Sequence, residues 1–156
     1  MRSRTSNWFI AKIRYEKTME DGLQKKVTEQ YVVDALSFTE AEARIIEEMS
    51  AYISGEFEVK NLDPAPFKEI FFDDSPESDK WYKAKLHFIT IDEKTDKEKK
   101  TVVYYLVQGC SLENARKNID EIMGSTMIDY AISAVIETPI MDVYEYLKKE
   151  DEKESK

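Results

Sequence analysis

Cysteine, histidine, glycine and proline are all scarce in this sequence. Its 156 residues include one cysteine (Cys110), one histidine (His87), four glycines and four prolines. A lone cysteine cannot close a disulfide within the chain, and one cysteine with one histidine cannot supply the ligands of a structural zinc site. Any Ser-His-Asp or Cys-His arrangement would have to use His87, and no nucleophile motif accompanies it. The scarcity of glycine argues against phosphate-binding loops. Together, these shortages mean that the sequence predicts no catalytic residue, no metal and no cofactor.

Long apolar runs are missing as well. No run approaches the ~20 residues that a membrane-spanning helix needs. The segment from Met1 to Asn7 carries two arginines, but no apolar stretch of the kind found in a secretory signal follows it. The sequence therefore predicts a cytoplasmic protein with no membrane contact.

The chain is rich in charge and acidic overall. Apolar residues make up 42%, enough to fill a core, whereas charged residues make up 35% and the formal net charge is −9. Binding to duplex nucleic acid depends on clustered Lys and Arg, so this balance disfavours that function. A nucleic-acid partner would have to be bound by a local basic patch.

The two halves of the sequence resemble each other in the same order. The octapeptide from Trp8 to Tyr15 matches the one from Trp81 to Phe88, with Trp, Ala and Lys identical at matching places. Such ordered matching predicts a tandem duplication. The later matches are Tyr31-Val32-Val33 with Tyr105-Leu106-Val107, then Ala41, Ile45, Glu47 and Met49 with Ala115, Ile119, Glu121 and Met123, and finally Pro66 with Pro139.

Each repeat predicts two strands, a helix and a third strand. The strands show alternating side chains or a high content of β-branched and aromatic residues. Ser37 and Ser111 stand where they would cap the helices. The predicted strands are 8–16, 27–35 and near 56–62 in the first repeat, and 81–91, 100–108 and near 128–137 in the second.

The predicted fold is α+β, a tandem duplication of a β-β-α-β unit with two helices packed on one face of an antiparallel sheet. A single unit of this kind cannot easily bury its core alone, so the two should share one domain, 1–148. That domain divides into unit one, 8–72, an acidic linker, 73–80, and unit two, 81–147. Residues 149–156 contain only charged residues and serine, which predicts a disordered tail.

The face of the first strands that points away from the helices is the candidate binding surface. Trp offers a large stackable ring and Lys or Arg supply charge, a combination that suits protein interfaces and single-stranded nucleic acid. A solvated strand face, with Trp covering the end of the core, is the alternative interpretation. The candidate residues are Trp8, Lys12 and Arg14 in unit one and Trp81, Lys83, Lys85 and His87 in unit two.

Two stretches of unit one carry a family resemblance. The segment Trp8-Phe9-Ile10-Ala11-Lys12 and the segment from Lys26 to Ala43 resemble a domain family of unassigned function from Bacteroidetes and their phages. The resemblance covers roughly residues 8–145. It implies a short stand-alone protein in a phage or mobile-element setting, and it carries no catalytic residues to transfer.

Three functions follow as hypotheses. The first is a non-enzymatic binding or assembly module that acts through the Trp/Lys face, as a homo-oligomer or with a protein partner. The second is single-stranded nucleic-acid binding through the same face, which the net charge disfavours. The third is an enzyme with a carboxylate/Tyr site between the two units, for which 32 acidic residues offer no way to choose a pair.

Overall fold

The structure, a computed structural model, describes residues 1–147. The predicted tail, 149–156, lies outside the described residues. Eleven elements follow one another: β1 Arg2–Arg4, β2 Trp8–Thr18, β3 Gln24–Asp34, α1 Phe38–Tyr52, β4 Phe57–Pro64, β5 Glu69–Phe72, β6 Lys80–Ile91, β7 Glu98–Gly109, α2 Leu112–Gly124, β8 Tyr130–Glu137 and β9 Ile140–Tyr144.

The predicted α+β class is confirmed, but the strands form two sheets. One sheet has five strands in the order β1-β5-β7-β6-β8, and the other has four in the order β4-β2-β3-β9. Each sheet is mixed, because β5 pairs in parallel with β7 and β9 pairs in parallel with β3. The arrangement thus differs from the single antiparallel sheet expected from the sequence, since the short strands that follow Pro66 and Pro139 join in parallel.

Both helices begin where the sequence places their caps. The hydroxyl of Ser37 accepts a hydrogen bond from the Glu40 amide at 3.1 Å, and that of Ser111 accepts one from the Asn114 amide at 3.0 Å. These bonds satisfy amides that the first helical turn leaves unpaired. Each helix then buries one stripe against its sheet: Ala41, Ile45 and Met49 in α1, and Ala115, Ile119 and Met123 in α2.

The chain forms two compact units whose boundaries cross those of the repeats. The five-stranded unit comprises Met1–Thr5 and Pro66–Thr138, and the four-stranded unit comprises Ser6–Ala65 and the described residues from Pro139 onward. The last strand of the first repeat, β5, therefore lies in the unit built on the second repeat, and β9 lies in the unit built on the first. The duplication itself stays a prediction.

The predicted linker, 73–80, is held by hydrogen bonds inside the five-stranded unit. The Asp73 carboxylate accepts from the Ser78 hydroxyl at 2.7 Å, and the Asp73 amide donates to the Gln108 side chain at 2.9 Å. The Gln108 amide group in turn donates to the Ser78 carbonyl at 3.0 Å. The bond from Ser78 is the main cause that lowers the pKa of Asp73, because it stabilises the charged carboxylate.

Candidate binding face

Both candidate tryptophans are buried. Trp8 and Trp81 each expose only 3% of their surface, so neither ring is open for stacking in the folded chain. Trp81 meets Phe72 edge to face, with ring centroids 5.7 Å apart, and the Arg2 guanidinium lies 4.0 Å from the centre of the Phe72 ring. Strands β1 and β5 bring these two side chains to Trp81, and no pattern in the first strands indicates that they would.

Lys12 and Arg14 are exposed, but they share their face with acidic side chains. In the four-stranded sheet, Lys12 aligns with Gln30 and Asn61 on the flanking strands. Arg14 aligns with Glu58 of β4, and one step further along β2 Glu16 aligns with a lysine of β3. Because aligned residues on neighbouring strands project to the same side, Arg14 and the lysine aligned with Glu16 each lie beside a carboxylate.

Lys83, Lys85 and His87 lie on a face where their aligned neighbours carry no acid. All three are half-buried, and they follow one another on the outer side of β6 in the five-stranded sheet. We call this surface the basic face and define it by these residues and their cross-strand neighbours. The neighbours are Leu106, Tyr104 and Val102 on β7 and Ile136, Ala134 and Ala131 on β8.

The basic face also exposes apolar and aromatic surface. Ile136 is 62% exposed and Val102 is 47% exposed. The Lys83 ammonium lies 4.7 Å from the centre of the Tyr104 ring, a cation–π contact that holds the charge over the face. Apolar area bordered by cations is typical of a surface that binds a partner.

His87 adds a buried polar atom to the basic face. Its Nε2 atom is buried and, within residues 1–147, has no hydrogen-bond partner. Buried polar atoms are nearly always paired in native proteins. A group bound on the basic face could supply the missing partner.

The structure thus brings together four of the seven predicted residues in one unit. Trp81 is buried at one end of the β6 row that Lys83, Lys85 and His87 continue, whereas Trp8, Lys12 and Arg14 lie in the four-stranded unit. Tyr104, Val102 and Ile136 also belong to this face and are not among the predicted residues. The segment 100–108 is predicted as the strand that follows 81–91, and consecutive strands commonly pair as a hairpin, so this pairing could have indicated the first two.

A second polar cluster lies on the helix side of the four-stranded sheet. The Glu29 carboxylate, on a residue only 9% exposed, accepts from the hydroxyls of Tyr15 at 2.8 Å and Tyr31 at 3.1 Å. The Lys17 ammonium lies 3.9 Å from the same carboxylate. Burial raises the pKa of Tyr15 and Tyr31, and Glu29 raises both further, because ionisation would place a second negative charge beside the carboxylate.

The matched positions of the five-stranded unit are apolar. By the alignment of the repeats, Tyr15 corresponds to Phe88 and Glu29 to Val103, while Tyr31 corresponds to Tyr105. Phe88 and Val103 pack against the hydrophobic core cluster to which α2 contributes its buried stripe. The fold therefore does not need a carboxylate here, and the Glu29 cluster is a property of one unit.

The sequence from residue 7 to 146 matches a family described as a domain of unknown function, DUF4494. The chain belongs to this family. The family description assigns no activity, so the site residues of this DUF4494 protein rest on the geometry above. No curated protein and no solved structure matches the chain.

Two features are absent from the described residues, a membrane-spanning helix and a cluster of metal ligands. Within residues 1–147, no helix of the DUF4494 chain is long and apolar enough to cross a membrane. In the same part of the chain, no three His, Cys, Asp or Glu side chains come together as a group that could hold a metal ion.

Proposed function

We propose that this DUF4494 protein is a non-enzymatic binding module whose basic face holds an acidic surface of a partner protein. The observation that carries the proposal is the arrangement of Lys83, Lys85 and His87 among uncharged neighbours. The chain has a net charge of −9, yet none of the residues aligned with these three carries an acid. Such a face would attract a negatively charged partner from solution.

The proposal differs in one respect from the expectation of an open Trp surface. Trp81 is buried against Phe72 and precedes Lys83 in the same row of β6, and the contact area comes from Val102, Ile136 and the half-buried Tyr104. These side chains supply the apolar part of an interface, while the lysines supply charge and orientation. The predicted role of Lys12 and Arg14 stays a prediction.

An acidic partner is favoured over a second copy of the chain. Two copies related by a two-fold axis would place the same patch on both sides of the interface. Lys83 and Lys85 of one copy would then face the like charges of the other, which costs free energy. Light scattering on a sizing column tests this, and we expect a monomer.

Single-stranded nucleic acid is the second candidate, favoured by the stacking of Lys83 on Tyr104. An aromatic ring beside cations is the combination that such proteins use to hold bases and phosphates. The net charge and the burial of both tryptophans make it the weaker candidate.

A phage or mobile-element setting also belongs to the proposal and is supported by the sequence resemblance alone.

The test is a fluorescence-anisotropy titration with two labelled probes, a short polyglutamate peptide and a single-stranded oligothymidine. Three proteins are compared: wild type, Lys83→Glu/Lys85→Glu, and the matched variant Lys12→Glu/Arg14→Glu, which makes the same charge change on the four-stranded sheet. We expect polyglutamate to bind wild type and the matched variant, and binding to weaken at least about tenfold in the Lys83/Lys85 variant.

Equal loss in both variants would show that overall charge, not the basic face, governs binding. Preference for the oligothymidine, with a steep salt dependence, would favour the nucleic-acid function. Failure of wild type to bind either probe at low salt would contradict the proposal.

A further inference from the structure

The edge of β7 next to the basic face is unpaired over half its length. On one side, β7 pairs with β6 from Glu98 to Gly109 without a register shift. On the other side, β5 covers only Tyr105 to Val107, and the Lys68 amide adds one bond to the Tyr104 carbonyl at 2.9 Å. Beyond that point no strand lies beside β7 in the described chain.

The direction of the free backbone groups follows from this pairing. The Tyr104 carbonyl points away from β6, and alternate residues of a strand direct their amide and carbonyl groups to the same edge. Val102 and Lys100 therefore direct theirs to the open edge as well. Both residues are exposed, and within residues 1–147 their backbone groups have no hydrogen-bond partner on that side.

We infer that this edge binds an extended acidic segment of the partner protein, which adds to the five-stranded sheet as a further strand beside β7. The inference rests on the proposed function and specifies how the partner binds. Strand addition supplies main-chain hydrogen bonds, and alternate side chains of the guest reach the two faces of the sheet.

The charges around the edge determine the chemistry of the guest. Lys100 lies on the same face as His87 and Val102 and adds a cation at the edge, and Glu98 follows it on that face at the start of β7. Lys68, whose amide donates to the Tyr104 carbonyl, supplies a cation on the opposite face. Its ammonium lies 5.1 Å from the centre of the Phe88 ring. A guest strand that alternates acidic and β-branched residues would place its acids beside Lys100 on the basic face and its apolar side chains beside Val103 on the opposite face.

Lysines at an edge also prevent sheets from pairing with one another. The two roles are compatible, because the same charges that repel another copy of this basic edge attract an acidic strand. The four-stranded unit provides an internal comparison. Within residues 1–147, β9 leaves the corresponding part of β3 open at Thr28, which matches Val102 in the repeat alignment, but Glu58 lies on the same face two strands away.

The experiment measures amide hydrogen exchange of the full chain with and without a capped peptide of alternating glutamate and valine. We expect slower exchange at the amides of Lys100 and Val102, at least about tenfold at saturation, and a smaller change at Thr28. The matched control is the same peptide N-methylated at the residues whose amides would face β7. It keeps every side chain and the charge, and we expect it to bind at least about tenfold more weakly.

The outcomes separate this inference from the proposed function. If the peptide binds and Lys83→Glu/Lys85→Glu weakens it, but the Lys100 and Val102 amides stay unprotected, the basic face stands and strand addition is wrong. If the two peptides, unmethylated and N-methylated, bind equally well, strand addition is wrong for the same reason. If the unmethylated peptide does not bind the wild-type chain, both ideas are overturned.

Discussion

The backbone amide of Tyr146 donates to the carboxylate of Asp34 at 2.7 Å, across 112 positions of the chain. The corresponding bond in the five-stranded unit joins the Asp73 amide to the Gln108 side chain at 2.9 Å. In the alignment of the repeats, Asp34 matches Gln108 and Tyr146 matches Asp73. Each bond fixes the chain just after a short parallel strand, β9 or β5. The side chain of Asp34 thus holds β9 in place, and the side chain of Gln108 holds β5.

Replacing Asp34 should therefore destabilise the four-stranded unit. Asp34 is fully buried and also accepts from the Leu147 amide and the Ser6 hydroxyl, both at 3.3 Å. We expect Asp34→Ala to lower the free energy of unfolding by about 1–3 kcal/mol, because buried donors lose a charged acceptor. Urea denaturation measures the change.

The sequence itself offers the control for that variant. Asp34→Gln introduces the residue that the matched position uses, and it keeps an acceptor for the Tyr146 amide. We expect it to recover part of the loss. If Asp34→Gln is as unstable as Asp34→Ala, the bond to the Tyr146 amide is not what the side chain contributes.

The Glu29 cluster should make the protein sensitive to alkali. The pKa values of Tyr15 and Tyr31 are raised in the folded state by burial and by Glu29, whereas an unfolded tyrosine ionises near pH ~10. A raised pKa gives stability that is complete below the unfolded pKa and is lost as pH rises above it. We expect the free energy of unfolding to fall above about pH 10.

Tyr15→Phe tests the origin of that fall, because the matched residue in the other unit is Phe88. At neutral pH the variant should lose about 1.5–3 kcal/mol, the usual contribution of a hydrogen bond to a charged group. Its alkaline decline should be shallower than that of wild type. Denaturation curves with an unchanged alkaline slope would show that other groups cause the decline.

The Asp73 cluster should act in the opposite direction, in acid. Hydrogen bonding, mainly from Ser78, lowers the pKa of Asp73. A lowered pKa gives stability that is present above the unfolded value, about 4, and is lost as pH falls through the folded one. In urea titrations from neutral to acid pH, Asp73→Asn should start less stable and decline less than wild type. An acid decline as steep as that of wild type would remove Asp73 as its source.

The buried tryptophans should respond to substitution as core residues. Trp81→Ala removes a ring that is 3% exposed and contacts Phe72, and we expect a loss of about 3–5 kcal/mol. Trp81→Phe keeps an aromatic contact and should cost less. A loss below about 1 kcal/mol for Trp81→Ala would mean that the ring is open to solvent, as an exposed binding residue would be.

The sequence predicted the elements better than their assembly. Alternation and the caps at Ser37 and Ser111 are local signals, so the helices and six main strands lie close to where they were expected. The parallel pairing of β5 with β7, and of β9 with β3, depends on contacts between residues that are distant in the sequence, so no local pattern indicates it. For the same reason Trp81 was assigned to an open face, although Phe72, from the other repeat, covers it.

The candidate face was predictable in part. Strand parity correctly placed Lys83, Lys85 and His87 on one side of β6. Parity cannot show that Arg14 would lie opposite Glu58 while the aligned neighbours of Lys85 would be uncharged, because that depends on which strand pairs at each edge. The difference between the two faces therefore appears only in the register of the sheets.

The most direct test of the basic face is a map of where an acidic ligand binds. Backbone and side-chain NMR resonances of the isotope-labelled chain are followed while unlabelled polyglutamate is added at low salt. We predict that the largest shifts occur at Lys83, Lys85, His87, Val102 and Tyr104, with smaller shifts at Lys12 and Arg14. Shifts spread evenly over all the lysines, or centred on the four-stranded sheet, would contradict the account.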